Sequence, residues 1–376
     1  MDATLNNLLR RLHSESKNSI GYPVSRDFNY NALAPFLEIS INNIGDPFLE
    51  GAYHLETHAQ EREVLEFYAR VFRAEPNQYW GYVTNGGSES NLYGLYLARE
   101  LYPRGMVYYS EATHYSVQKN IHLLNMPSIA IRSQENGEID YDDLHQTLLL
   151  NRQQPVIMLL NVGTTMTEAI DDLGRIRDIL RKLAIHHFYI HVDGALAGAY
   201  AAWLDPKPKF DFADGVDSIA ISGHKFIGSP FPCGVVLTKK QHRDRIARSI
   251  SYINNLDTTI SGSRNGHAPL FLWYALNQWG EEGMQQRLAH SQRMATYLLT
   301  QLRLMGIEAW KNNGAITVVF PAPPTGIRDK WQLATDDGRS HVICMPHISY
   351  KQLDAFLADM RIAQPTNGKK AELVLE

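Results

Sequence analysis

A lysine, Lys225, closes the run Ser222-Gly223-His224-Lys225, just past an apolar, strand-like stretch from Val216 to Ile221. Upstream, Asp193 ends another such stretch, Phe188 to Val192. A lysine amine can condense with an aldehyde, and a carboxylate can keep a pyridine nitrogen protonated. Together they are the pair that pyridoxal phosphate requires of its protein. A lysine after a strand is usually a solvated surface group. Here Phe226-Ile227-Gly228 follows it, and apolar flanks suit a desolvated amine of lowered pKa that can act as a nucleophile.

Other residues fit the same chemistry. Asp193 at the carboxyl end of a strand lies where open α/β sheets bind ligands, although aspartate is also a common helix N-cap. The small residues after it, Gly194 to Ala199, favour a flat ligand, with Ala195 against one face of a ring. Gly86-Gly87-Ser88 joins a strand to a helix. Glycines there free backbone N–H groups to converge on a phosphate, and the helix N-terminus adds positive potential. The spacing is not that of a nucleotide P-loop. His114, after the strand Met106 to Ser110, could stack on the ring opposite Ala195. Thr164 and Thr165 place hydroxyls at the same rim, and Ser222 and His224 flank the lysine as phosphate donors. The fifteen histidines raise a metal site. His54 and His58 have i,i+4 spacing but lack the zincin glutamate, and the expectation is no metal.

Alternating strand and helix patterns must position these residues. Strands are predicted at Tyr79 to Thr84, Met106 to Ser110, Val156 to Asn161, Phe188 to Val192, Ser218 to Ser222 and Cys233 to Leu237. Helices are predicted at Ser90 to Leu101, about Tyr115 to Asn125, and Leu173 to Ala184. This alternation predicts an α/β domain with a mostly parallel sheet. After Arg264 the pattern changes to helices at Leu270 to Trp279 and Met284 to Leu304, strands at Ala315 to Phe320 and His341 to Met345, and a helix near Ser349 to Met360. That is a smaller α+β unit. The expected division is an arm (1–55), a large cofactor-binding domain (56–265), a small C-terminal domain (266–363) and a flexible tail (364–376).

Of 376 residues, 44% are hydrophobic and 20% charged, ordinary globular values. A net charge of −4 argues against a general nucleic-acid or membrane-surface binder. Two cysteines, Cys233 and Cys344, give no disulfide framework. With no secretory h-region and no apolar run of spanning length, the expectation is a cytoplasmic protein acting on a small molecule, without nucleic-acid or membrane partners.

Taken in order, Gly86-Gly87-Ser88, Thr113-His114-Tyr115-Ser116, Asn161-Val162-Gly163-Thr164-Thr165, His191-Val192-Asp193-Gly194-Ala195 and Ser222-Gly223-His224-Lys225 resemble the group II pyridoxal-phosphate-dependent amino acid decarboxylases. The resemblance runs from about Ile20 to Ile362. Phe212 to Gly215, Ile227 to Pro230 and Pro232-Cys233-Gly234 look like the bacterial histidine enzymes. Ile41 to Phe48 and Ala268 to Tyr274 look closer to the plant serine enzymes. The resemblance implies the aspartate-aminotransferase-like fold (fold type I) with a seven-stranded sheet, and a homodimer with sites at its interface. It implies release of CO2 and a primary amine, histamine from histidine, with ethanolamine from serine as the alternative and an aminotransferase as a remoter one. It also implies roles: Lys225 carries the Schiff base, Asp193 holds the ring nitrogen, and His114 stacks on the ring. Gly86, Gly87, Ser88, Ser222 and His224 hold the phosphate, and Thr164 lies near the ring oxygen or the aspartate. Tyr252, on a mobile loop from Ser249 to Ser261, protonates the intermediate and could come from the neighbouring subunit.

Overall fold

The computed structural model describes residues 1–363; the predicted tail, 364–376, lies outside the described residues. Seven strands form the main sheet in the order Tyr79–Thr84, Gly234–Lys239, Ser218–Ser222, Phe188–Asp193, Val156–Asn161, Met106–Ser110, Ser128–Ile131. The last five of these pair in parallel. Gly234–Lys239 is antiparallel to both its neighbours, so Tyr79–Thr84 runs the same way as the other five. Six strands therefore deliver their carboxyl ends to one rim, and the seventh begins there.

The sheet is covered on both faces, which explains why its strands read as continuous apolar runs. Along Val156–Asn161 the side chains alternate. Val156, Met158 and Leu160 join a core with Leu65 and Tyr68 of the helix His58–Val71 and Ile176 and Leu180 of Leu173–Lys182. Ile157 and Leu159 join the opposite core, with Leu95 and Leu97 of Gly87–Leu101 and Val117 and Ile121 of Ser116–Leu123. This is the two-residue period of a strand serving two layers.

The C-terminal unit is a three-stranded antiparallel sheet, Thr317–Pro321, Arg339–Ile343 and Thr335–Asp336, packed with the helices His267–Leu304 and Tyr350–Ala363. The first helix was expected as two. It is one long element broken at Gly280 (φ 55°, ψ −168°), a conformation that suits glycine. The edge strand Ser128–Ile131, the helix Tyr141–Asn151 and the N-terminal helix Asp2–Asn18 were not predicted.

The segment Ile20 to Tyr30 stitches the two units together. The Ile343 N–H donates to the Ile20 carbonyl (2.9 Å), Arg287 pairs with Asp27 (2.7 Å), and the Tyr30 hydroxyl donates to the Gly228 carbonyl (3.1 Å). A buried ion pair of Arg264 with Glu61 ties the strand Ser263–Asn265 to the helix His58–Val71. Glu61 also accepts from the Val83 N–H (2.7 Å) and the Asn43 amide (2.8 Å), and Arg264 donates to the Gly45 carbonyl (3.0 Å). Removing one partner of a buried pair leaves an uncompensated charge, which costs about 3–5 kcal/mol. Arg264→Ala is expected to lower stability by that order, read by urea denaturation. A loss under about 1 kcal/mol, the range of a surface pair, would show the pair to be solvated.

Candidate active site

At the shared rim lies a cavity of about 390 Å³, within the usual range for small-molecule sites. Its wall includes Gly87, Ser88, His114, Thr164, Asp193, Ala195, Ser222, His224 and Lys225. Gly86 stands just behind this wall, where an added Cβ would come to 4.0 Å from the His224 ring. Tyr252 is not part of it. That side chain is 86% exposed, on a short turn between the paired strands Arg248–Ile250 and Asn255–Asp257.

Lys225 sits in a single π turn, Gly223–Ile227, following the strand Ser218–Ser222. Such turns recur at functional sites. Lys225 leaves helical geometry (φ −87°, ψ −107°), and Gly228 closes the turn at φ 92°. Beneath it, a Cβ on Gly223 would meet the Cys233 sulfur at 2.6 Å. Desolvation pushes the Lys225 ammonium below the usual lysine range, and the Asp193 carboxylate opposes this. The net effect favours the neutral, nucleophilic amine.

Asp193 ends its strand, 6% exposed. One carboxylate oxygen accepts from the Asn91 amide (2.7 Å), the other from the Ala195 N–H (3.1 Å). His114 keeps its ring in place through Nδ1, which lies 2.8 Å from the Ser116 hydroxyl and accepts from the Ser116 N–H (3.3 Å). Burial, then the Lys225 charge, lowers its pKa, with Asp193 opposing. At neutral pH the ring is uncharged and flat-faced. His224 is lowered chiefly by burial, and its Nδ1 rests against the Cys233 backbone, 2.9 Å from the carbonyl oxygen. The Thr164 hydroxyl is engaged within its own loop, accepting from the Ala169 N–H (2.9 Å) and sharing a proton with Thr167 (2.9 Å). It shapes the wall more than it offers a free hydroxyl to a ligand.

The glycine pair forms an open cradle. Gly86 has φ 146°, which favours glycine. A Cβ on Gly87 would reach the Ser222 hydroxyl at 2.7 Å and the Ala195 Cβ at 3.4 Å, filling the space. Gly87 also starts the 15-residue helix Gly87–Leu101. Among the described residues, the N–H groups of Gly87, Ser88 and Glu89 donate to nothing, as the first turn of a helix leaves them. Unpaired N–H groups, two flanking donors, a desolvated lysine and a buried carboxylate suit a phosphorylated aldehyde on a pyridine ring. The donor set fits pyridoxal phosphate.

Sequence reasoning missed part of the wall. Gly21 and Pro23 of the N-terminal segment and Ala334, His341 and Ile343 of the small unit also line the cavity. Tyr22 of that segment lines it too, whereas Tyr53 and His54 of the arm are exposed and Phe48 packs against Tyr79 with ring centroids 6.2 Å apart. Asn91 and Asn120 were also missed; the Asn120 amide donates to the Ser88 carbonyl (2.8 Å) and steadies the cradle.

Fold and site together define a fold-type I pyridoxal-phosphate enzyme. Residues 72–320 match the pyridoxal-dependent decarboxylase conserved domain. The chain is 49% identical to a histidine decarboxylase of Mesorhizobium japonicum, covering 90% of this chain and 91% of that protein. It is 45% identical to a histidine decarboxylase of Pseudomonas entomophila, covering 92% and 86%. Among solved structures it is similar to L-methionine decarboxylase from Streptomyces sp. 590, with a TM-score of 0.87 and 29% identity over 96% of this chain and 94% of that one. The chain belongs to the pyridoxal-dependent decarboxylase family, and it is a carboxy-lyase.

Proposed function

We propose that the substrate is L-histidine and the product histamine. The observation that carries this reading is the 49% identity, over nine-tenths of both chains, to a histidine decarboxylase. The Cα–carboxylate bond breaks, CO2 leaves, and a proton takes its place on Cα. Pyridoxal phosphate, when bound, supplies the π-system that takes up the electrons of the broken bond. Lys225 Nζ would hold its aldehyde carbon, and the Asp193 carboxylate would keep the ring nitrogen protonated. His114 would cover one ring face and Ala195 the other. Gly86, Gly87, Ser88, Ser222 and His224 would hold the phosphate. The geometry asks these groups to orient the Cα–carboxylate bond across the ring and keep it so.

Both cysteines are fully buried, and burial pushes the Cys233 thiol up to about 12 and Cys344 higher still. Neither offers the thiolate that a desulfurase needs. The direct test is to incubate the loaded protein with each amino acid and identify the product. Histamine is expected. Ethanolamine from serine would move the reading to the serine enzymes, and a keto acid would replace decarboxylation by transamination.

The protein is read as a cytoplasmic homodimer. No helix among the described residues is long and apolar enough to cross a membrane. The helix Asp2–Asn18 exposes Leu5, Leu8, Leu9 and Leu12 and buries no residue, which suits packing on a second copy. Tyr252, exposed and outside the cavity of its own chain, would reach the site as Tyr252 of the partner subunit and protonate Cα. General acids contribute about 10²- to 10⁴-fold. Tyr252→Phe should therefore slow amine formation by that order while leaving the lysine-bound cofactor intact. Mixing Tyr252→Phe with Lys225→Ala chains should restore activity, because mixed dimers hold one intact site. Failure of the mixture to recover would place Tyr252 in its own subunit's site or outside the reaction.

A further inference from the structure

Behind Asp193 lies a line of polar side chains that the reaction as described does not use. Asn91 Nδ2 is 2.7 Å from Asp193 Oδ2, and Asn91 Oδ1 is 2.9 Å from His191 Nε2. His191 Nδ1 is 2.7 Å from the Ser218 hydroxyl, which is 2.9 Å from the Tyr189 hydroxyl. All four residues are buried, His191, Ser218 and Tyr189 with no exposure and Asn91 with 2%. We propose that Asn91, His191, Ser218 and Tyr189 are positioning residues, a polarised hydrogen-bond chain that holds Asp193 as a carboxylate aimed at the cofactor's ring nitrogen. This rests on the role given to Asp193 above.

One fact fixes every proton in the chain: an ionised Asp193 only accepts. Asn91 must then turn its NH2 to Asp193 and its oxygen to His191. His191 must carry its proton on Nε2, which leaves Nδ1 to accept from Ser218. Ser218, having given its proton, accepts from Tyr189. Each link of the chain then pairs one donor with one acceptor. Burial supports the neutral ring this requires, lowering the His191 pKa to about 3.

The chain also explains a glycine. At Gly94 an added Cβ would lie 2.2 Å from His191 Nδ1 and 2.4 Å from Cε1. Gly87, Asn91 and Gly94 follow i, i+4, i+7 along one helix, so a single face presents the cradle, the amide and the space for the imidazole. A helix interior disfavours glycine by roughly 0.5–1 kcal/mol against alanine. Here that disadvantage makes room for the ring that orients Asn91.

Without the His191 donor, the Asn91 oxygen is left buried and unpaired, and only the bond to Asp193 holds the amide in place, so the carboxylate is less firmly aimed. The test loads wild type, His191→Leu, His191→Gln, Ser218→Ala and Asp193→Asn with 15N-pyridoxal phosphate. The ring-nitrogen chemical shift is read together with cofactor affinity, kcat and KM. Loss of a group that orients a catalytic partner typically costs about 10- to 100-fold. His191→Leu should lose kcat on that scale with KM unchanged, and its ring-nitrogen signal should move towards that of Asp193→Asn. His191→Gln should recover most of both, because its amide can still donate to Asn91. Ser218→Ala, which removes one small group and stays folded if the leucine variant does not, should shift the signal the same way by less. Wild-type signal and kcat in a folded His191→Leu, or in Ser218→Ala should the former not fold, would overturn the proposal. A signal unmoved in Asp193→Asn itself would instead sink the role of Asp193, and the chain's role with it.

Discussion

Lys225→Ala will form no measurable amine and will keep no cofactor through borohydride reduction. Lys225 is where the strand Ser218–Ser222 ends in a π turn, and among the described residues no other lysine lines the cavity. Desolvation favours its neutral amine, and only a neutral amine attacks a carbonyl carbon. Alanine removes the nucleophile outright. Removing a group that forms the covalent bond in catalysis can lose on the order of 10⁶-fold in kcat, so a drop of that order is expected. Mass spectrometry of the reduced protein should find the added mass on the peptide containing Lys225 in wild type and on none in the variant. Melting of the unloaded protein separates this from unfolding. A partly buried ammonium that burial disfavours stabilises the fold little, so the variant should melt no lower than wild type. Full activity in the variant would sink the assignment of the lysine.

Much of this site could be read from the chain because its parts are local. Gly86-Gly87 announces a helix start open to a phosphate, and Val156–Asn161 announces a strand covered on both faces. Asp193 and Lys225 each close an apolar run, and parallel strands bring those run ends to one rim. What was missed depends on contacts between distant segments. Asn91 and Gly94 share a helical face with Gly87, a spacing visible in sequence, but their purpose appears only when His191 lies beneath them. The wall formed by Gly21, Ala334, His341 and Ile343 joins the arm to the small unit, and no periodicity predicts that. His341 lies between the Gly21 and Met166 carbonyls, 3.1 Å from each, which brings the arm against the loop that follows Thr164. The helix Tyr141–Asn151 did carry a legible start. Asp140 caps it by accepting from the Asp142 and Asp143 N–H groups, the usual role of aspartate there. Ser128–Ile131 is a half-exposed edge strand of four residues, too short for a burial pattern to speak.

Asp193→Asn should keep the cofactor and lose the rate. The substitution preserves shape, so the Ala195 N–H can still donate to an oxygen at that position, now at 3.1 Å. The cradle at Gly86, Gly87 and Ser88 and the amine of Lys225 are untouched, so retention of the cofactor should follow theirs. What disappears is a buried negative charge. An amide cannot hold a proton on a facing pyridine nitrogen as a carboxylate does, and the electron sink weakens as that proton is lost. Removing one preorganised electrostatic partner of a developing charge costs about 10²- to 10³-fold in kcat, and the loss here should reach that order. A second signature follows from the same charge. The Asp193 carboxylate raises the pKa of both Lys225 and His114. In the variant both should fall further below their usual ranges, and the pH at which the lysine-bound chromophore titrates should move down with Lys225. Rates equal to wild type would show that the ring nitrogen does not depend on Asp193. A slowed enzyme with an unshifted titration would instead place the carboxylate too far from Lys225 for the coupling this cavity implies.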